Sequence, residues 1–222
     1  EPKTLVDLAR MFPHFVRDVS DFRTDETIGK GGFGIVFHAI DTRTGKECAL
    51  KELLRHKLEE RTRLTYIREV YALASCNHRF ILKLVGFTVE PPYSIITEYH
   101  PNGCLRPYII KNGGKTPFSG THMTVVALCM ASAMAHVHAK GLLYRDFKAS
   151  NVLLDSKSFP ILSDFGTARM YTPKRPMSPR TGTIRYMAPE LMQSSHYDQS
   201  VDVYAYGLFL YAMAEKKSPF AG

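Results

Sequence analysis

Between Tyr144 and Gly166 the chain concentrates side chains able to move a proton and hold a cation. The run Tyr144-Arg145-Asp146-Phe147-Lys148-Ala149-Ser150-Asn151 is followed, thirteen residues after the asparagine, by Asp164-Phe165-Gly166. Asp146 is a candidate general base, a role a carboxylate fills when it lies within hydrogen-bond reach of the proton it takes. Lys148 sets a cation two residues away. Asn151 and Asp164 offer oxygen ligands, and so short a ligand set suits Mg²⁺, which keeps several of its waters and takes few protein carboxylates. An isolated Asp-x-Lys-x-x-Asn is most often a surface loop. Here the second acidic element, eighteen residues after Asp146, and apolar pieces beside both favour chemistry.

Two features upstream extend the set. Ile28-Gly29-Lys30-Gly31-Gly32-Phe33-Gly34-Ile35-Val36 satisfies G-x-G-x-x-G. A dinucleotide site would need a helix directly after the last glycine, so that its N-terminus meets the pyrophosphate. The sequel Ile35 to Ile40 is β-branched and aromatic, which favours a strand and hence a strand-loop-strand flap over phosphates. A plain Gly-rich hairpin is the bland alternative. Farther on, Ala49 and Lys51 flank Leu50, so they share one strand face about 6.6 Å apart at 3.3 Å per residue. A lysine on the inner face of a sheet is costly unless paired. Glu69 is a candidate partner, on one helix face with Leu73 at i and i+4; by charge alone Glu59 and Glu60 compete with it.

The hydrophobic pattern supplies the elements that must position these groups. Residues 1–21 form an N-terminal lead-in, with Leu5, Leu8, Ala9 and Phe12 at helical spacing. From Phe22 to Leu54, short apolar runs broken by glycines and by Thr42-Arg43-Thr44-Gly45 predict three antiparallel strands. A helix is predicted from about Leu58 to Ala74, then two strands near Ile81 to Thr88 and Tyr93 to Tyr99. After Pro101-Asn102-Gly103 the pattern turns helical: Met123, Val126, Met130, Ala133 and Val137 recur at three- and four-residue steps, and Gly141 stops the helix. Short strand-like pieces flank the loop at Asp146, and a last apolar helix runs from about Ser200 to Glu215. A β-rich lobe over 22–100 therefore precedes a helical lobe over 101–222, an α+β arrangement with its hinge near Glu98 to Gly103.

With Ala188-Pro189-Glu190 added, the motif set resembles the eukaryotic protein kinase family. The resemblance covers residues 22–222 and implies a two-lobed fold, a small antiparallel β lobe with one long helix before a mainly helical lobe. The family's large lobe has later helices that this chain lacks, so the resemblance implies a helical lobe incomplete at its C-terminal end. It further implies ATP as phosphoryl donor, Mg²⁺ as cofactor and protein serine or threonine hydroxyls as acceptors. Asp146 then takes the hydroxyl proton and Lys148 stands beside the transferring group, while Asn151 and Asp164 bind the metal. Ile28, Gly29, Lys30, Gly31, Gly32, Phe33 and Gly34 cover the nucleotide. Val36, Ala49 and Leu153 enclose the adenine, with Thr97 behind it. The backbone of Glu98 and His100 bonds the base, and Lys51, paired with Glu69, reaches the phosphates.

The resemblance also implies smaller assignments. Tyr144 stands where many kinases have His, and packs beneath Phe165 in a column with Leu73 and Leu84. Asp202 anchors the loop at Asp146. Lys148 and Thr183 match the serine/threonine pattern, and the stretch from His78 to Gly86 with Thr97-Glu98-Tyr99 resembles the tyrosine-kinase-like group. Ser178 or Thr181, among Arg169, Lys174, Arg175 and Arg180, is a candidate phosphorylation switch that would pair with Arg145. Cys104 is expected at a helix start, where the N-terminal field favours a thiolate. A catalytically silent relative is the main rival, which the presence of Lys51, Glu69, Asp146, Asn151 and Asp164 argues against.

Composition bounds these readings. The 222 residues are 45% hydrophobic and 23% charged, ordinary for a globular protein. Cys48, Cys76, Cys104 and Cys129 show no metal-ligand spacing, which fits free thiols in a reducing compartment. The net charge of +8 is spread along the chain without interleaved aromatics, which argues against nucleic acid and leaves acidic phosphates as substrate or a plain solvated basic surface. Thr121 to Val137 carries His and Ser and reads as a buried helix and not a membrane span. The first residues show no signal-peptide pattern, and the expected location is cytoplasmic.

Overall fold

Alternating apolar residues in the first hundred positions form a five-stranded antiparallel sheet. The computed structural model describes residues 2–31, 34–54, 59–109, 118–173 and 176–220; Gly32 and Phe33 of the Gly-rich loop, Leu58, Lys174 and Arg175 lie outside the described residues. The chain divides into two compact units, residues 1–77 with 82–99 and residues 78–81 with 100–222.

In the first unit β1 (Phe22–Gly31), β2 (Gly34–Asp41), β3 (Glu47–Leu53), β4 (Leu84–Phe87) and β5 (Ser94–Glu98) lie in the order β1-β2-β3-β5-β4. One sheet face buries Phe22, Ala39, Cys48, Leu50 and Ile96 as a core. Strand alternation sends Ala49 and Lys51 to the other face. There the register places Val36 and Ile95 opposite Lys51, and Thr97 opposite Ala49. Gly34 is required by packing, since a Cβ there would collide with the Glu52 carbonyl oxygen of the adjacent strand. Helix α2 (Glu60–Ser75) buries Tyr66, Ile67, Glu69, Val70, Ala72 and Leu73. The Tyr66 hydroxyl is held between the carbonyls of Thr88 and Ser94 at 2.8 and 2.9 Å.

The second unit is built on α4 (Gly120–Ala139) and α6 (Ser200–Glu215). Helix α4 is long and apolar enough, by length and composition, to cross a membrane. Within this unit its Val126, Met130, Ala133 and Val137 are buried, and its Ala127 carbonyl accepts the Tyr206 hydroxyl of α6 at 2.9 Å. Ser119 caps its start and Gly141, at φ +70°, ends it. Around these helices lie α3 (Arg106–Ile109), β6 (Leu142–Leu143), β7 (Val152–Leu154), β8 (Pro160–Leu162), β9 (Arg169–Met170) and α5 (Pro189–Gln193). Strands β6 and β9 pair, as do β7 and β8.

The lead-in before β1 is fastened to the first unit. Helix α1 (Leu5–Met11) starts in a reciprocal cap between Thr4 and Asp7 and buries Leu8. The Phe12 ring lies 6.1 Å from that of Tyr71 on α2. Val16 then bridges to Phe87 beside β4, and Arg17 donates its backbone N–H to the Phe87 carbonyl at 3.0 Å. The Arg17 guanidinium meets Asp41 with two nitrogens at 3.0 and 3.3 Å and Asp21 at 3.1 Å, over the ring of Phe22. These bonds from Arg17 hold the Asp41 carboxyl below its ordinary value of 3.8.

Removing one partner of a largely buried, bidentate pair strands the other charge, so Arg17→Met is expected to cost about 2–4 kcal/mol of stability. A carboxyl with a depressed folded pKa stabilises above its unfolded value, so the wild-type advantage is full above about pH 4 and shrinks as acid protonates Asp41. Urea unfolding of both proteins at neutral and acid pH checks this; an advantage independent of pH would refute it.

Candidate active site

The first unit carries the Gly-rich strands and the lysine. Gly29 pairs with Val36, Lys30 with Ile35 and Gly31 with Gly34, so the G-x-G-x-x-G motif spans the end of a β hairpin. No helix follows Gly34, which removes the dinucleotide arrangement. Among the described residues, no atom beyond its chain neighbours lies within 4 Å of where a Cβ on Gly31 would project, so their packing does not account for that glycine. Ile28, on β1, is 40% exposed. On β3 the Lys51 ammonium donates to both oxygens of Glu69 at 2.7 and 2.9 Å. Glu69 sits on the buried side of α2, so the pair holds the helix to the sheet. Glu60 is exposed at the helix start, and Glu59 is exposed just before it. Glu98 donates its N–H to the Lys83 carbonyl at 3.1 Å.

In the second unit a buried carboxylate sets the loop that carries Asp146. Asp202, 1% exposed in the first turn of α6, accepts the backbone N–H groups of Tyr144 at 2.8 Å and Arg145 at 2.7 Å. His138 of α4 contacts the same carboxylate at 2.9 Å. Arg145 is left-handed at φ 69°, a conformation that L residues hold only when their surroundings enforce it.

The Asp146 carboxylate emerges from this loop with every neighbour in place. Asn151 donates its Nδ2 to the Asp146 carbonyl at 2.9 Å and to Oδ2 at 3.1 Å. Lys148 Nζ donates to Oδ2 at 2.6 Å, and the Thr183 hydroxyl donates to Oδ1 at 2.6 Å. Lys148 also donates to Thr183 Oγ1 at 2.6 Å. An alcohol therefore rests on the carboxylate at general-base distance, with a cation on its oxygen. The seat depends on Gly182, at φ +103°, because a Cβ there would collide with the carbonyl oxygen of Arg145.

The spacing between Asn151 and Asp164 is explained by a hairpin. Strands β7 and β8 pair Val152 with Leu162, and the Asn151 carbonyl accepts both the N–H and the hydroxyl of Ser163 at 2.9 Å. Asn151 and Asp164 thus sit at the open end of one ladder. Leu153 of β7 is half-buried and bridges to Cys104. Among the described residues no group of three or more His, Cys, Asp or Glu could hold a metal. The donors left are the exposed Asp164 carboxylate and the Asn151 amide, whose bonds to Asp146 use only its Nδ2. Two oxygens of this kind fit Mg²⁺, which completes its shell with waters and phosphate oxygens.

Beneath these groups, Tyr144 and Phe165 are both fully buried with ring centroids 5.2 Å apart. The Tyr144 hydroxyl donates to the Ser163 carbonyl. Burial, and then the charges of Asp164 and Asp146, push the Tyr144 pKa well up, so the group stays a neutral donor. In the first unit Leu73 and Leu84 are buried as well.

Some placements differ from expectation, and others had no signal. Cys104 is not at a helix start: α3 begins at Arg106, while Cys104 forms a β bridge to Leu153. His100 is half-buried and its carbonyl accepts from Gly103 at 3.3 Å, closing the Pro101-Asn102-Gly103 turn. The Arg145 guanidinium donates to the Thr167 carbonyl and, at 3.0 Å, to the Tyr197 hydroxyl, which in turn donates to the Ser178 carbonyl at 2.8 Å. Nothing in the residue pattern marks Tyr197 or His138 for these roles, since both act on groups distant in the chain.

Comparison with known proteins points to one family. A family model described as protein kinase domain matches residues 22–222. The chain is similar to three Arabidopsis thaliana proteins. Serine/threonine-protein kinase STY46 is 30% identical over 194 residues, 87% of this chain and 33% of that protein. Serine/threonine/tyrosine-protein kinase HT1 is 31% identical over 210 residues, 92% of this chain and 53% of that protein. Serine/threonine-protein kinase VIK is 34% identical over 212 residues, 90% of this chain and 47% of that protein. The chain thus spans roughly a third to a half of these relatives.

Replacing Tyr144 by Phe keeps the buried ring and deletes the hydroxyl, leaving the Ser163 carbonyl without that donor. The expected cost is about 1–3 kcal/mol, measured by urea unfolding; a variant as stable as the wild type would show that the bond contributes nothing.

Proposed function

Because the chain belongs to the protein kinase family, we propose that it transfers the γ-phosphoryl group of Mg-ATP to serine and threonine hydroxyls of protein substrates in the cytoplasm. The observation that carries the reading is the Thr183 hydroxyl seated on Asp146 Oδ1 at 2.6 Å with Lys148 on its oxygen. An acceptor hydroxyl taking that seat would meet a base and a cation already positioned. The names of the three relatives, all serine/threonine-protein or serine/threonine/tyrosine-protein kinases, support the same acceptor class.

Each unit has its own part. Residues 22–100 are the nucleotide-binding lobe. In it Ile28, Val36 and Ala49 contact the adenine, and the backbone of Gly29, Lys30, Gly31, Gly32, Phe33 and Gly34 covers the phosphates. Lys51, oriented by Glu69, binds the α- and β-phosphates, and the Glu98 carbonyl accepts from the base. Residues 101–222 are the catalytic lobe. There His100, just before its start, donates its backbone N–H to the base, and Leu153 packs against the ring. Asn151 and Asp164 hold Mg²⁺, which when bound offsets phosphate charge. Asp146 takes the proton of the acceptor hydroxyl as the oxygen attacks, and Lys148 stabilises the charge that develops on the transferring group.

Wild-type protein, Asp146→Asn and Lys51→Met are compared by ADP release with a generic basic protein and by phosphoamino-acid analysis. Loss of the base is expected to lower the rate on the order of 10²- to 10⁴-fold, and the product to be phosphoserine and phosphothreonine. Undiminished ADP release by Asp146→Asn would overturn the assignment.

A further inference from the structure

The reaction as proposed needs an acceptor hydroxyl at Asp146, and the space beside that position has a marked charge. A cavity of about 420 Å³ opens there, entirely within the second unit. Lys148 and Thr183, which touch the Asp146 carboxylate at 2.6 Å, are part of its wall, so it adjoins the place an acceptor would take. Farther round stand Arg106 of α3 and Arg185, two residues beyond Thr183, with Tyr186 and Ser218 completing the enclosure. Among the described residues, the lining thus holds three cations and no carboxylate. Lys148 is answered by Asp146. Arg106 and Arg185 are both exposed, and among the described residues neither has a carboxylate within ion-pair distance.

Two guanidiniums sharing one cavity without a counter-ion favour whatever anion can bridge them. Their planar forks match carboxylate and phosphate oxygens in pairs. A single exposed ion pair contributes little, but two forks on one anion at the wall of a cavity form a small network. A cationic side chain entering the same space would face both guanidiniums, so the arrangement selects against basic sequences as well as for acidic ones.

We propose that this cavity is a subsite for an anionic side chain of the protein substrate, a carboxylate or a phosphate close to the acceptor hydroxyl, with Arg106 and Arg185 as its ligands. The proposal rests on the phosphotransfer reading and adds a substrate class to it: acidic or already phosphorylated sequences.

The test uses peptides with one acceptor serine and a single variable residue (Ala, Asp, phosphoserine or Lys) moved through successive positions on either side. Each is followed twice, by phosphotransfer kinetics and by fluorescence anisotropy of the labelled peptide. At one position Asp, phosphoserine or both should raise kcat/KM about tenfold over Ala, equivalent to about 1.4 kcal/mol, mainly through KM. Lys at the same position should lower it. A gain for both anions means that charge alone is read, and a gain for one identifies its source. In the double variant Arg106→Glu with Arg185→Glu the order should invert, with Lys preferred, an outcome that misfolding cannot produce. Equal kinetics and affinity for Ala, Asp and phosphoserine at every position would overturn the subsite, as would an acidic preference that survives the charge reversal. Anionic preference in binding without transfer to any peptide would refute the phosphotransfer reading and leave the subsite standing; transfer without preference would do the reverse.

Discussion

Asp202 has almost no exposed surface, yet its carboxylate accepts the N–H groups of two successive loop residues and contacts a helix histidine. An unpaired charge at that depth would cost several kcal/mol, so the carboxylate and its donors are tolerable only together. Arg145, the second of those donors, is itself left-handed at φ 69°. Such a conformation carries a penalty of roughly 1–3 kcal/mol, borne where surrounding structure enforces it. The position of Asp146 one residue later is therefore set by the docking of α6.

From that anchor the remaining reactive groups follow by short-range pairing. Asn151 reaches back to Asp146 through its amide, and its carbonyl starts the β7–β8 ladder that ends at Asp164. Tyr144 closes the circuit from below, packing on Phe165 and donating its hydroxyl across to Ser163. A histidine there could charge. A phenol cannot do so in this setting, because burial and the nearby carboxylates of Asp164, Asp146 and Asp202 disfavour its anion. The substitution replaces a titratable support by one that stays neutral through the physiological range.

What the residue pattern made legible were the features that depend on neighbours in sequence. Strand runs, the α2 and α6 helices and the facing of Ala49 with Lys51 follow from periods of two and 3.6. The last helix occupies Ser200–Glu215, the span its apolar residues predict. Glu69 could be separated from Glu59 and Glu60 only through the resemblance, since charge does not specify a face; the fold puts Glu69 alone of the three on the buried side of α2. The placement of Cys104 failed because the turn at Gly103 leads into a bridge with Leu153, a long-range pairing that no local pattern announces. Arg17 with Asp41 escaped for the same reason, being twenty-four residues apart.

Tyr197 shows what such long-range contacts do at the site. A buried arginine beside the base is a strong attractor for acceptors, and here neutral oxygens satisfy it: the Thr167 carbonyl and the Tyr197 hydroxyl. Tyr197 passes the connection on to the Ser178 carbonyl, and the backbone bonds Met177 to Ser195 and Arg180 to Leu191 tie down the same stretch. The segment that leads into Gly182 and Thr183 is thus held by hydrogen bonds that need no added charge. A phosphate on Ser178 or Thr181 reaching Arg145 would meet a guanidinium that already has two neutral acceptors. Any gain from phosphorylation then comes from a charged acceptor added to a segment that is already anchored, a smaller quantity than ordering an unanchored loop.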